Sequence, residues 1–174
     1  FLYQTVRRRK PRTILEFGSG CSTVILAQAL WENQQEAAGQ PGRLWSMESD
    51  PAWRDVTARS LPAHLRDTCD IRYSSAQEVE YQGTPAFRHA GIPADLAPDF
   101  VYLDGPPLMD ERQVAVDLLD MEARLPRGFC MVVDGRWNNV QFLKRTLTRR
   151  YRLREYGWSL NHCRNRHVFE LLSP

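Results

Sequence analysis

The chain has 174 residues, a net charge of +2, 43% apolar side chains and 25% charged ones. That is enough for one domain with a substantial core, and the balance is ordinary for a soluble globular protein. No apolar run is long enough to cross a bilayer and no signal-peptide pattern is present, which argues against a membrane partner.

The chain opens on Phe1 rather than Met, so residues upstream are expected to have been lost. A basic start (Arg7, Arg8, Arg9, Lys10, Arg12) leads into a first strand, Thr13 to Phe17. The stretch ILEFGSGCST, Ile14 to Thr23, is the most informative in the sequence. Gly18 and Gly20 permit backbone angles and ligand approach that a side chain would block. Ser22 or Thr23 is expected to cap a helix running to about Ala38. A strand, a glycine turn and a helix in this order build a nucleotide-sized cradle at the carboxyl end of the strand. Glu16 sits just before the turn, where its carboxylate is placed to accept hydrogen bonds from a ligand. Thr23 stands where a dinucleotide fingerprint needs its third glycine, and no lysine follows Gly20, so the triphosphate loop is absent.

Gly39-Gln40-Pro41-Gly42 breaks the first helix. A second strand, Arg43 to Met47, ends at Glu48, Ser49 and Asp50. An acid there is placed to accept the hydroxyls of a ribose, which is the role expected of Glu48. Asp50 is expected to cap the next helix, with Pro51 in its first turn. That helix stops before Pro62, a short helical piece spans about Ala63 to Arg66, and a third strand spans Cys69 to Tyr73. Gln77 to Asp99 is long for a link. Val79 to Tyr81 and Ala86 to Arg88 flank Gln82-Gly83-Thr84-Pro85, which predicts a hairpin, either beside the site or decorating an edge.

A fourth strand, Phe100 to Leu103, delivers Asp104 into the stiff turn Gly105-Pro106-Pro107. Asp104 either orients or deprotonates an acceptor, or bonds its own turn. A helix is predicted from about Met109 to Arg124, with Val114, Leu118, Leu119 and Met121 as its apolar stripe. A fifth strand, Phe129 to Val133, delivers Asp134 to the same edge. A helix from about Asn139 to Thr148 and strands at Tyr151 to Tyr156 and His167 to Leu172 complete the chain. The alternation argues a parallel sheet covered on both faces.

Glu16, Gly18 and Gly20 after strand one, with an acid closing strand two, resemble the class I S-adenosylmethionine-dependent methyltransferases over nearly the whole chain. The resemblance implies an α/β fold: a Rossmann-like three-layer sandwich with a mostly parallel seven-stranded sheet and an antiparallel last strand. Residues 1–174 would form a single domain with a hairpin insertion near 77–98. The implied cofactor is S-adenosylmethionine, held at Glu16, Gly18, Gly20, Ser22, Glu48 and Ser49, with Ala76 beside the adenine and Asp104 facing the methyl group. Asp104 and Asp134 are the implied catalytic residues.

Catechol-type O-methyltransferases bind magnesium through comparable acids and an Asp-Asn pair. Here Gly135 replaces that asparagine, with Asn138 and Asn139 nearby, so the expectation is no metal ligand set. Gly105 and Leu108 depart from the amino-methylating motif and argue against nucleobase or amide methylation. The expected activity is methyl transfer to a small-molecule acceptor, with oxygen preferred. The alternatives are an aminopropyl transferase of polyamines or a cofactor-binding module without catalysis.

The basic start and a second run (Lys144, Arg145, Arg149, Arg150, Arg152, Arg154), with Arg164 and Arg166 beyond it, read as solvated helix faces and loops. No aromatic-interleaved RNA motif accompanies them, so nucleic acid is not an expected partner. Cys21, Cys69, Cys130 and Cys163 form no C-x-x-C pair, which argues against zinc and for reduced thiols in a cytoplasmic protein. His89, His162 and His167 read as structural, and Trp137 and Trp158 as packing residues. The short lead before Thr13 assigns the lid and acceptor specificity to upstream residues or to the second subunit of a homodimer.

Overall fold

The computed structural model describes residues 1–36, 41–107, 113–157 and 165–173. In chain order its elements are α1 (Leu2–Arg9), β1 (Thr13–Phe17), α2 (Cys21–Glu36), β2 (Arg43–Glu48), α3 (Pro51–Ser60) and a 3-10 turn (Ala63–Leu65). There follow β3 (Cys69–Tyr73), β4 (Ala76–Tyr81), β5 (Thr84–His89), β6 (Phe100–Leu103), β7 (Val114–Ala115), α4 (Asp117–Met121) and a second 3-10 turn (Glu122–Arg124). The last elements are β8 (Cys130–Asp134), α5 (Trp137–Thr146), β9 (Arg150–Tyr156) and β10 (Arg166–Ser173).

Seven strands form one sheet in the order β3-β2-β1-β6-β8-β10-β9. The first five run parallel, and β10 lies antiparallel to both of its neighbours. The strands are short apolar runs because both faces are covered, as parallel sheets require. Leu15, Phe17, Val101, Leu103, Met131 and Val133 pack on one face with Leu118 and Met121 of α4 and Val140 and Leu143 of α5. Ile14, Leu44, Phe100, Cys130 and Val132 pack on the other with Val6 of α1 and Leu26 and Leu30 of α2. The α/β sandwich, its seven strands and the antiparallel last strand agree with the expectation.

Three features differ. The basic start is a helix, α1, packed and ion-paired against the rest of the fold rather than simply solvated. Its Val6 is fully buried. Its Arg7 meets Glu32, Asn33 and Glu36 of α2, and its Arg9 pairs with Glu170 of β10. The apolar period that signals a helix is weak here because only one residue is fully covered; acidic partners hold the rest.

The second difference is β7. Val114 and Ala115 fall within the predicted helix, Val114 on its apolar stripe, but form a strand that pairs parallel with Ala86 and Phe87. Asn139 clamps Ala115 through both its backbone N–H, at 2.7 Å, and its carbonyl, at 3.0 Å. The helix begins only at Asp117, and residues 109–112 of the predicted span lie outside the described residues. Third, the predicted hairpin exists as β4 and β5, and β7 extends it to a three-stranded sheet. Among the described residues no helix is long and apolar enough to cross a membrane.

Candidate functional site

The chain leaves β1 toward β2 and β3 on one side, then returns to β6 on the other. Open α/β sheets bind ligands in the crevice at such a reversal, outside the carboxyl ends of the strands. A cavity of about 820 Å³ lies there. Gly18, Ser19, Gly20 and Ser22 line it after β1, Glu48 and Asp50 after β2, Asp104 and Gly105 after β6, and Asp134 at the end of β8.

The turns after β1 and β6 interlock backbone to backbone. The N–H groups of Asp104 and Gly105 both donate to the Phe17 carbonyl, at 3.1 and 2.6 Å. Gly18 has φ +87°, and a Cβ on it would meet the Gly105 backbone at 2.9 Å. A Cβ on Gly105 would meet Gly18 N at 2.5 Å. These glycines are therefore needed for packing. Gly20 differs: the nearest atom to a Cβ there is Trp53 Nε1 at 3.9 Å. Its bare backbone keeps open the space between the turn and α3.

The two glutamates also differ. Glu16 is fully buried and does not line the cavity. Its carboxylate accepts the hydroxyls of Ser22, Thr23 and Ser46, each at 2.6 Å. Burial dominates and pushes its pKa up to about 7, against the hydroxyls that oppose the rise. The helix begins at Cys21, so neither Ser22 nor Thr23 stands at the N-cap, but Thr23 Oγ accepts the Gly20 N–H at 2.9 Å at the helix start while donating to Glu16, and the Ser22 hydroxyl donates to Glu16 alone. Glu48 is at the cavity. Its Oε2 accepts Ser19 N–H and Oγ–H at 2.7 and 2.9 Å, and its Oε1 accepts Asp50 N–H at 2.9 Å. A carboxylate offers about four lone-pair sites, so roughly one stays available to a ligand. Asp50 caps α3 as expected, accepting from the N–H groups of Ala52 and Trp53.

Across the reversal, Tyr102 Oη donates to Asp134 Oδ2 at 2.8 Å, and Arg166 Nε donates to the same oxygen at 3.2 Å. Partial burial, and then the charge of Asp134, raise the pKa of Asp104; Arg136 and Arg166 oppose the rise. Arg136 is buried at the start of α5 and donates through one nitrogen to the carbonyls of Asp104 and Pro106. Burial lowers its pKa to about 10. This guanidinium fixes the turn that carries Asp104.

Of the residues singled out from the sequence, Gly18, Gly20, Ser22, Glu48, Asp104 and Asp134 meet at one cavity. Glu16, Ser49 and Ala76 are not on its lining. Ala76 is the first residue of β4 and pairs with His89, so the hairpin ladder holds it. Asn139, weighed as a metal ligand, is engaged by the Ala115 backbone. Among the described residues no group of three or more His, Cys, Asp or Glu side chains is arranged to hold a metal ion. Trp137 packs against the core and His167, as expected. Trp158, His162, Cys163 and Arg164 lie outside the described residues.

Sequence reasoning missed six contributing residues. Trp53, half exposed on α3, donates its indole N–H to Ser19 O at 2.7 Å and lines the cavity. Phe1, Leu2 and Tyr3 form a further wall. Arg166 and Arg136 complete the set. Only Trp53 carried a signal: a large aromatic in the first turn of a helix whose N-terminus abuts the glycine turn.

Comparison with solved structures bears on this architecture. A methyltransferase from Geobacter sulfurreducens superposes with a TM-score of 0.66 at 16% identity, covering 99% of this chain and 76% of that one. An O-methyltransferase from Bacillus cereus, solved in complex with SAH, gives 0.62 at 16% identity, covering 99% and 79%. The O-methyltransferase TomG from Streptomyces achromogenes, involved in tomaymycin synthesis and solved with SAM, gives 0.60 at 17% identity, covering 99% and 78%. The fold is that of the class I methyltransferases. At these identities the likeness is one of fold. No protein-family model matches the chain, and no curated protein matches it. Within the methyltransferase fold the glycine turn, Glu48 and Asp104 occupy the strand ends that border the crevice.

Proposed function

We propose that the protein is an enzyme that transfers a methyl group from S-adenosylmethionine to a small-molecule acceptor, with oxygen the preferred nucleophile. The observation that carries this reading is the meeting of a side-chain-free turn at Gly20, a carboxylate at Glu48 and a second carboxylate at Asp104 on one cavity of about 820 Å³. The residues fit the cofactor. The space that a Cβ on Gly20 would enter suits close approach of a ligand to the backbone. Glu48 has an acceptor site left for a ribose hydroxyl, and Trp53 beside it offers an aromatic surface to the adenine.

Bound S-adenosylmethionine supplies a sulfonium methyl that is already electrophilic. The chain's own contribution is placement and proton removal. Asp104 and Asp134 flank the acceptor's entry to the reacting edge. With the methyl group supplied by the cofactor, the Asp104 carboxylate would take the proton from the acceptor hydroxyl. Arg136 holds that carboxylate's turn in place, and orientation of this kind contributes a large share of a bimolecular barrier.

The test is release of S-adenosylhomocysteine during incubation with S-adenosylmethionine and a panel of hydroxyl and amine acceptors, with and without EDTA. The reading expects chelator-insensitive release with at least one hydroxyl acceptor, lost in Asp104→Asn. Release that needs an added divalent cation would overturn the role given to Asp104.

A further inference from the structure

A second groove, of about 420 Å³, lies between α1 and the edge of the sheet. Gln4, Thr5, Arg8 and Arg9 of α1 form one wall, Arg154 and Tyr156 of β9 the other, and Val168 and Glu170 of β10 line it between them. It adjoins the catalytic cavity, because Phe1 lines both. The Phe1 ring packs on Tyr156 at 5.0 Å, with the Arg166 guanidinium 5.7 Å from its centroid.

The charge of this groove is one-sided. Among the described residues that line it Glu170 is the single acid, and three guanidiniums gather on it: Arg9 in direct contact, Arg154 at 3.7 Å and Arg152 at 3.9 Å. One carboxylate cannot neutralise three cations, and Arg8 adds a fourth. The Glu170 side chain is 19% exposed, whereas those of Arg152 and Arg154 are 54% and 50% exposed. The acid sits low and arrays the cations, whose outer N–H groups face water. Guanidinium groups grip phosphate oxygens through paired N–H donors, and arginine is the residue suited to that geometry.

We propose that this groove is an anion subsite that seats the phosphate of a phosphorylated small-molecule acceptor, whose nucleophile reaches past Phe1 to Asp104. Calling the ligand an acceptor rests on the methyl-transfer reading; the anion site itself does not. The acid-rich wall around Asp104 and Asp134 excludes the phosphate from the reacting edge, and the arginines receive it next door. The two halves of such an acceptor are thereby sorted by charge.

Isothermal titration of the full chain with inorganic pyrophosphate, without S-adenosylmethionine, tests the site. The expected result is saturable binding that weakens at least tenfold in Arg8→Gln/Arg154→Gln, while affinity for S-adenosylmethionine is unchanged. Arg8→Gln alone is the second variant, should loss of the Arg154–Glu170 contact disturb folding; it is expected to weaken pyrophosphate binding measurably. Absence of saturable binding, or equal affinity in wild type and both variants, would overturn the proposal. Binding of a ten-nucleotide oligouridylate more than tenfold tighter than pyrophosphate, and lost in the double variant, would also overturn it, in favour of a nucleic-acid strand. Failure to bind S-adenosylmethionine with pyrophosphate binding intact would sink the methyl-transfer reading and leave the anion site standing.

Discussion

The two walls of the central cavity are built by different rules. The wall formed by the ends of β1, β2 and β6 is held at its backbone groups: Phe17 O accepts two N–H groups from the β6 turn, the Glu48 carboxylate accepts the backbone N–H groups of Ser19 and Asp50, and Arg136 donates to the Asp104 and Pro106 carbonyls. The wall formed by α1, Tyr102, Asp134 and Arg166 is held by side chains, through ion pairs and hydroxyl contacts. Backbone-held geometry tolerates few residue types and leaves a motif. Side-chain-held geometry can be met by many sequences and leaves none. On the proposed methyl-transfer reading, the first wall holds the cofactor and the second selects the acceptor.

The largest expected effect falls where the walls meet. Asp104→Asn removes the proposed base and is expected to lower kcat by roughly 10²- to 10⁴-fold, the range typical of general-base catalysis. Single-turnover kinetics at saturating cofactor would read it, with S-adenosylmethionine affinity little changed. A drop in cofactor affinity with kcat preserved would instead make Asp104 a binding residue.

Glu16, beneath the first wall, should be seen in stability rather than catalysis. Its folded-state pKa of about 7 lies above the usual value of 4.5. The native state therefore binds the proton more tightly than the unfolded chain. Its contribution to stability is full below about pH 4.5, falls as pH rises and is lost above about pH 7, a total of about 3 kcal/mol. Urea unfolding of wild type and Glu16→Gln at pH 5 and pH 8 should show a steeper decline in wild type. Parallel declines would contradict a protonated Glu16.

The two glycines of the turn separate packing from binding. Gly18→Ala, at positive φ and against the Gly105 backbone, is expected to cost about 1–3 kcal/mol of stability. Gly20→Ala, facing the cavity, should melt close to wild type yet bind S-adenosylmethionine more weakly. Thermal melts paired with titration read both. Equal destabilisation would mean that the turn has no ligand-facing side.

Arg136 gives the smallest and most specific effect. Its charge holds down the raised pKa of Asp104. With Asp104 as the proposed base, the acidic limb of the kcat profile is expected to follow its ionisation, so Arg136→Met should move that limb to higher pH, and Arg136→Lys should restore part of the shift. An unmoved limb would leave Arg136 a purely structural clamp.

Much of the first wall could be read in advance, because Gly18, Gly20, Glu48 and Asp104 sit at strand ends whose apolar runs are plain. The sheet and its helices were legible for the same reason. Glu16 was read as a ligand contact because its place in the motif is visible, whereas the Ser22, Thr23 and Ser46 hydroxyls that enclose it come together only in three dimensions. Ala76 was read as part of a polar turn, whereas it is the first rung of the hairpin, because the two look alike in sequence. α1 was hidden by its arginines, whose partners Glu32, Glu36 and Glu170 are distant in sequence. β7 was hidden because Val114 also fits a helical stripe, and Asn139, which holds Ala115, is 24 residues away.

The most direct measurement is calorimetric titration of the protein and of Glu48→Ala with S-adenosylmethionine, with NAD as the competing cofactor class. The account expects one S-adenosylmethionine site and a loss of roughly 1.5–3 kcal/mol in the variant, as for a charged hydrogen bond to ribose. Saturable NAD binding without S-adenosylmethionine binding, or a variant that binds S-adenosylmethionine as well as wild type, would contradict it.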